Sequence, residues 1–340
     1  MTTRSQWTPL DEVLAVLKGR MAAESGAARP WHGFWYPRPD LQFPPPVTAR
    51  PEDHSGSESL RIDCAPAGAS PAERKRQMRT WCESLPGLGG VRFLWVRSRM
   101  TAEILEAVCR MQGLVGLHAN NSSISSFESL SSLPNLAALR LGVSAGLRSL
   151  EPLGRMPRLK WLELANLRRI DDFEVLGRLT HLDGLAFDAA DGKLLEVESL
   201  APLAGLTQLT WLNLGGVRAR DRSLRPLQGL RKLIWLGLAR HYPAQEFARL
   251  SAALPSTECP WFRPFNAMPG AATRCPRCEQ GVRVMPSGSG MRSLCTSCDE
   301  RRLAAHVRAF ERDAALACAA PAIDLDSAVP RSGPMRKGRR

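Results

Sequence analysis

The chain has 340 residues, of which 44% are hydrophobic and 23% charged, the composition of an ordinary globular protein rather than a disordered or fibrous one. No apolar run reaches the about 20 residues that a membrane-crossing helix needs, so no membrane partner is expected. The net charge of +13 is uneven, because residues 259–340 hold fourteen basic and seven acidic groups and so carry +7 of it. The first residues, Met1 to Trp7, lack an apolar signal core, and the nine cysteines are an odd number. Both features point to a cytoplasmic protein instead of a disulfide-stapled secreted one.

In chain order, residues 1–24 predict a short helix. Thr8 is placed to cap it, Pro9 suits its first turn, and Leu10, Val13, Leu14 and Leu17 form one apolar stripe. Residues 25–58 read as a proline-rich connector, with Pro37, Pro39, Pro44, Pro45 and Pro46 favouring polyproline geometry and opposing regular pairing. Trp31, Phe34, Trp35 and Tyr36 interrupt it and are expected to pack on the edge of the body that follows. Leu60 to Asp63 predicts a strand. Ser70, Pro71 and Glu73 are a capping-box start for a helix running to about Ser84.

From Leu88 to Leu238 an L-x-x-L-x-x-L-x-L pattern recurs seven times at steps of 22 to 27 residues. The runs include Leu133/Leu136/Leu139/Leu141, Met156/Leu159/Leu162/Leu164 and Leu230/Leu233/Leu236/Leu238. Such a period marks a solenoid whose units bury their apolar edges against each other. Before each strand, apolar residues fall at three-residue steps, as in Leu147/Leu150/Leu153, which suits 3₁₀ turns on the convex side. The first and last units instead predict helices, at residues 101–111 and 243–254. The strand and helix at 60–84 are expected to cap the open N-terminal end.

The unit at residues 147–164 (LRSLEPLGRMPRLKWLEL) resembles a leucine-rich repeat, most closely the short repeats of bacterial internalin-type proteins. The resemblance spans roughly residues 85–240 and implies an α/β solenoid, a leucine-rich-repeat arc with a parallel concave sheet. The family's turn asparagine is largely replaced here, at Ser122, Ser144, Leu167, Ala190, Val217 and His241.

Alternate strand residues face opposite ways, so the residues between the leucines line the concave face. One column reads Phe93, Gly116, Ala138, Trp161, Gly184, Trp211, Trp235; the next reads Trp95, His118, Arg140, Glu163, Ala186, Asn213, Gly237; a third reads Arg97, Asn120, Gly142, Ala165, Asp188, Gly215, Ala239. Tryptophan and arginine anchor interfaces well, since they bury much area and keep a polar handle. Phe93, Trp95, Arg97, Arg140, Trp161, Glu163, Trp211 and Trp235 are therefore the candidate contacts for a protein partner. The other reading of the rings is that they tile the sheet and cover one another, or pack under a terminal segment. The 27-residue step after the fifth unit leaves an acidic rim loop, with Asp188, Asp191 and Glu196, that does not match a calcium loop.

Cys275, Cys278, Cys295 and Cys298 form two C-x-x-C pairs separated by sixteen residues. Four thiolates at this spacing suit tetrahedral Zn²⁺ and leave no position for a substrate, so the metal is expected to be structural; iron is the runner-up. Two short strands, at 281–285 and 291–294, link the pairs, and the whole is similar to a zinc ribbon, although Glu279 and Asp299 stand where such knuckles often have glycine. The module is placed at 259–320, after a repeat region with its caps at 59–258. It ends in a helix with Leu303, Val307, Phe310 and Ala314 on one face and Arg301, Arg302, Arg308 and Arg312 largely off it. A basic tail, 321–340, is expected to be disordered.

No phosphate loop, nucleophile elbow or histidine pair points to catalysis. The expected function is a non-catalytic protein-protein interaction scaffold using the concave face. The alternative is a nucleic-acid-associated adaptor using the basic ribbon region and tail.

Overall fold

The computed structural model describes residues 44–319, apart from 168, 171, 189–193 and 269. The expected N-terminal helix, the aromatics Trp31, Phe34, Trp35 and Tyr36, most of the acidic loop and the basic tail lie outside the described residues.

The repeats build a nine-stranded sheet in which every adjacent pair is parallel. Its strands are β1 (Val47–Thr48), β2 (Ser59–Ile62), β3 (Phe93–Val96), β4 (Gly116–Asn121), β5 (Ala138–Val143), β6 (Trp161–Ala165) and β7 (Gly184–Asp188). After β8 (Leu195–Val197), which leaves this sheet, come β9 (Trp211–Leu214) and, beyond β10 (Val217–Ala219), β11 (Trp235–Leu238). Leu94, Leu117, Leu139, Leu162, Leu185, Leu212 and Leu236 stand in register across it, all fully buried. Each such leucine contributes about 1.5–3 kcal/mol when taken from water, so this column is the spine of the fold.

On the convex side the three-residue steps become 3₁₀ turns at Glu128–Ser132, Glu151–Arg155, Glu174–Arg178, Ala201–Leu203 and Arg225–Leu227. Genuine helices occupy the ends. After α1 (Pro71–Ser84), α2 (Ala102–Val108) forms in the first unit and α3 (Ala244–Ala253) in the last. Ser70 accepts from the Glu73 N–H while Glu73 reaches back to Ser70, the capping box expected of α1. Trp81, Leu60 and Ile62, all fully buried, close the N-terminal end of the core.

The sheet continues one strand beyond the expected cap. Val47–Thr48 pairs with β2 inside the stretch read as unpaired connector, because Pro46 ends the proline run and leaves the next residues free to donate. The missing turn asparagines are replaced in part by hydroxyls. Ser122 Oγ accepts from the Ile124 N–H at 3.1 Å, while the Ser122 and Ser144 N–H groups donate to Val143 O and Ala165 O. Val217 takes a different course: it starts β10, which pairs with β8 in a second, two-stranded parallel sheet that the repeat pattern did not suggest.

The C-terminal module is a three-stranded antiparallel sheet, β12 (Phe265–Ala267), β13 (Arg283–Pro286) and β14 (Leu294–Cys295), followed by α4 (Glu300–Ala319). It is fused to the last repeat. Phe310 joins the main core, whereas Leu303 packs with Val284 and Leu294 inside the module. Arg240 Nη1 donates to the carbonyls of Pro286, Gly288 and Met291 at 3.3, 3.0 and 3.1 Å. Glu258 exchanges backbone hydrogen bonds with Ile234 and Leu236, covering the outer edge of β11.

Candidate functional site: concave face and four-cysteine cage

The first two concave columns stand in the register read from the sequence: Phe93 beside Gly116, then Ala138, Trp161, Gly184, Trp211 and Trp235 on successive strands. The third column breaks at Gly142, where a register shift pairs Val143 with Ala165. A side chain at Gly142 would meet Asn120 O at 2.0 Å, so β5 and β4 approach too closely for any other residue.

The rings do not project freely. Trp161 and Trp211 stack at 5.2 Å and 25°, and Trp211 and Trp235 at 5.4 Å and 16°; Phe93 and Trp95 lie 6.4 Å apart at the other end. Phe93, Trp95, Trp161 and Trp211 are only 1–2% exposed, and Trp235 6%. The open aromatic surface expected from the columns is thus a buried aromatic layer. Gly184 makes room for it, since the Trp161 ring lies over that glycine and Trp211 stands one strand farther on.

Beside the rings runs a polar row. Trp161 Nε1 donates to Glu163 Oε1 at 2.7 Å, and Arg140 Nε lies 3.5 Å from Glu163 Oε2. Glu163 is buried, so its charge is held by an indole and a guanidinium. Asn213, also buried, accepts from the Gly215 N–H at 2.9 Å. His118 sits next to Arg140 in the row, and burial, reinforced by the Arg140 charge, lowers its pKa to about 3. Neither residue was singled out from sequence, although both occupy the same column as Glu163. Arg97 stands apart: exposed, it faces Asp63 at 3.8 Å in a cleft of about 800 Å³ that Glu73 and Gln77 also line.

The four cysteines do converge. The sulfurs of Cys275, Cys278, Cys295 and Cys298 all lie within 4.8 Å of one another. The Gly281 N–H points at Cys278 Sγ and the Cys298 N–H at Cys295 Sγ, each at 3.4 Å. Backbone N–H groups of Arg277 and Cys278 bring the Cys275 thiol down to about 6. This donor set fits a tetrahedral thiolate site. By contrast, burial pushes Cys64 and Cys259 up to about 12 and Cys109 to about 11, the state of inert core thiols.

Local geometry accounts for the departures from the usual knuckle. Glu279 has φ +56°, so it adopts the left-handed conformation that glycine takes elsewhere. The Asp299 carboxylate accepts from the Cys295 N–H at 2.9 Å and from Arg277 at 2.6 Å, tying the two knuckles together. Gly281 is the glycine the cage requires, because a Cβ there would meet Cys295 Sγ at 2.3 Å. On α4, Arg301, Arg302, Arg308 and Arg312 are exposed as expected, with Arg302 and Arg312 near Asp299 and Asp313.

No family model matches the sequence, and comparison with curated proteins finds no match either. Solved structures that it resembles include two internalins of Listeria monocytogenes. Internalin C2 is 22% identical over 52% of this chain and 71% of that one, with a TM-score of 0.37. The second is 17% identical over 75% and 71%, with a TM-score of 0.43. A leucine-rich-repeat protein of Leptospira interrogans is 16% identical over 59% and 47%, with a TM-score of 0.40. Among the described residues no helix is long and apolar enough to cross a membrane. By its own register, leucine spine and 3₁₀ convex side, the chain is a leucine-rich-repeat solenoid with a four-cysteine module on its C-terminal end.

Proposed function

We propose that this protein is a non-catalytic interaction scaffold that docks a polypeptide on its concave sheet, through Phe93, Trp95, Trp161, Trp211 and Trp235 with Arg140 and Glu163. The observation carrying this reading is the in-register row of three stacked indoles beside the buried Glu163 and its part-exposed partner Arg140. An inner curve meant only for water would carry small polar residues. Large rings there form a firm apolar floor, and the polar row beside them, in which Arg140 is part-exposed, orients what docks on it. Arg97 extends the face at its N-terminal end.

Zinc is the metal that Cys275, Cys278, Cys295 and Cys298 would hold, in a structural role, by joining the two knuckles on which β13, β14 and α4 are mounted. Nine free cysteines support a reducing, cytoplasmic setting. The deciding experiment is affinity purification with the full chain and with a Trp161→Ala/Trp211→Ala variant of unchanged circular dichroism. The variant is expected to lose a specific partner that the native chain retains; undiminished recovery would end the proposal.

A further inference from the structure

We infer that the C-terminal module is a second binding surface, an arginine face that holds the sugar-phosphate backbone of duplex DNA without reading its sequence. The face runs from a recess beside the cysteine cage along α4, and it shares no residue with the concave sheet.

Four elements bring guanidinium groups to one recess of about 430 Å³. Arg277 comes from the first knuckle, Arg283 from β13, Arg292 from the loop before β14 and Arg302 from the first turn of α4. Among the described residues Asp299 is the only carboxylate lining it, and that group is already engaged. It accepts from the Cys295 N–H at 2.9 Å and from Arg277 at 2.6 Å, and lies 3.9 Å from Arg302. Arg283 is steadied by donating to Ser293 Oγ at 2.7 Å. Arg292 is exposed, with no acidic partner among the described residues. Four thiolates around a divalent ion carry two negative charges, which with Asp299 still leave one cation of the recess unanswered.

The larger surplus lies on α4. Arg301, Arg308 and Arg312 are spaced by seven and four residues, so they form one stripe, opposite the buried Leu303 and Phe310. All three are exposed. Arg312 lies 3.7 Å from Asp313, whereas Arg301 and Arg308 have no acidic partner among the described residues. Glu300 and Glu311 stand off the stripe, roughly 80–100° round the helix.

The shape of this face selects its ligand. The stripe rises about 16 Å along a rigid helix. A DNA duplex is a rod with one negative charge per about 1.7 Å, hence about ten charges over that length. Guanidinium groups grip phosphate oxygens two at a time. Single strands are held largely by bases stacking on aromatic rings, and no aromatic residue lines the recess. Trp261 and Phe262 pack on the main core, and Phe265 packs on Val284, Leu294 and Leu303.

The test is fluorescence anisotropy of the full chain with fluorescein-labelled DNA duplexes of about 20 base pairs at about 50–200 mM salt. Two duplexes of unrelated sequence are expected to bind alike, with affinity falling steeply as salt rises. Arg292→Gln/Arg301→Gln/Arg308→Gln, with unchanged circular dichroism, removes three unpaired charges. It should lower the slope of log affinity against log salt by about 2.7 and weaken binding about a hundredfold or more at about 50 mM salt. Arg110→Gln/Arg148→Gln/Arg231→Gln removes three exposed arginines from the repeats, the same change in net charge, and should bind as the native chain does. Absence of binding by the native chain, equal loss in both variants or loss in neither would overturn the inference. So would equal affinity for a fluorescein-labelled polyglutamate of matching charge, since the face would then take any polyanion. Trp161→Ala/Trp211→Ala should hold the duplex undiminished, which keeps this outcome separate from that of the concave face.

Discussion

Trp161 lies over Gly184 and reaches across it to stack on Trp211, with 5.2 Å between ring centres. A Cβ at position 184 would sit 2.3 Å from the Trp161 ring, which is buried and has nowhere to retreat. Gly184→Ala is expected to destabilise the chain by about 1–3 kcal/mol in urea denaturation, the cost of overpacking a filled site. Gly205→Ala, where the nearest atom is 3.8 Å away, serves as the near-neutral control. Equal midpoints for the two variants would contradict the stacked arrangement.

The cysteine cage predicts a single bound zinc ion per purified chain, measured by elemental analysis. Cys275→Ser or Cys295→Ser should abolish it. Chelation should raise amide exchange over residues 265–298 while β3 to β7 keep their protection, because the solenoid core does not depend on the module. A metal-free preparation in which 265–298 stays protected would refute this.

Two non-ligand positions should change metal affinity in opposite directions. Glu279→Gly relieves a side chain from the left-handed region and should strengthen binding by up to about 1 kcal/mol. Gly281→Ala drives a methyl group toward Cys295 Sγ and should weaken it. Competition against a chromophoric chelator reads both.

Arg240 is the clasp between the last repeat and the ribbon, with three carbonyl acceptors on one nitrogen. Arg240→Met keeps the bulk and removes the donors, and is expected to cost about 1–3 kcal/mol. Exchange should quicken around residues 286–291 first. Uniform quickening across the repeats would show that the clasp is not local.

His118 gives the fold a pH dependence. Its folded pKa, near 3, lies below the unfolded value of about 6.5, so below that pH the unfolded chain takes up a proton that the folded chain refuses. Stability should therefore fall as pH drops from about 6.5 toward 3, by at most about 1.4 kcal/mol per pH unit. His118→Gln should flatten this slope, and an unaltered slope would place the effect elsewhere.

The leucine spine, the 3₁₀ convex side, the end helices and the first two concave columns were all legible in the sequence, because each follows from a local period. The cysteine cage was legible for the same reason: two tight spacings leave little freedom. The shift at Gly142 was not, since it comes from a close approach of β5 to β4 that no pattern in one strand records. Ring burial at Trp161 and Trp211 was equally hidden, because facing direction can be read from alternation but cover cannot. The β8–β10 pair and the fusion of Phe310 into the main core likewise depend on contacts between distant residues.

Both lateral borders of the nine-stranded sheet are occupied within the chain itself, by the two-residue Val47–Thr48 strand on one side and by Glu258 on the other. Neither border offers a long row of free amides and carbonyls for a second molecule to zip onto. Among the described residues, strand addition at either end of this sheet finds only a short border. Association of two copies across this sheet is therefore better served by side chains than by a shared backbone ladder.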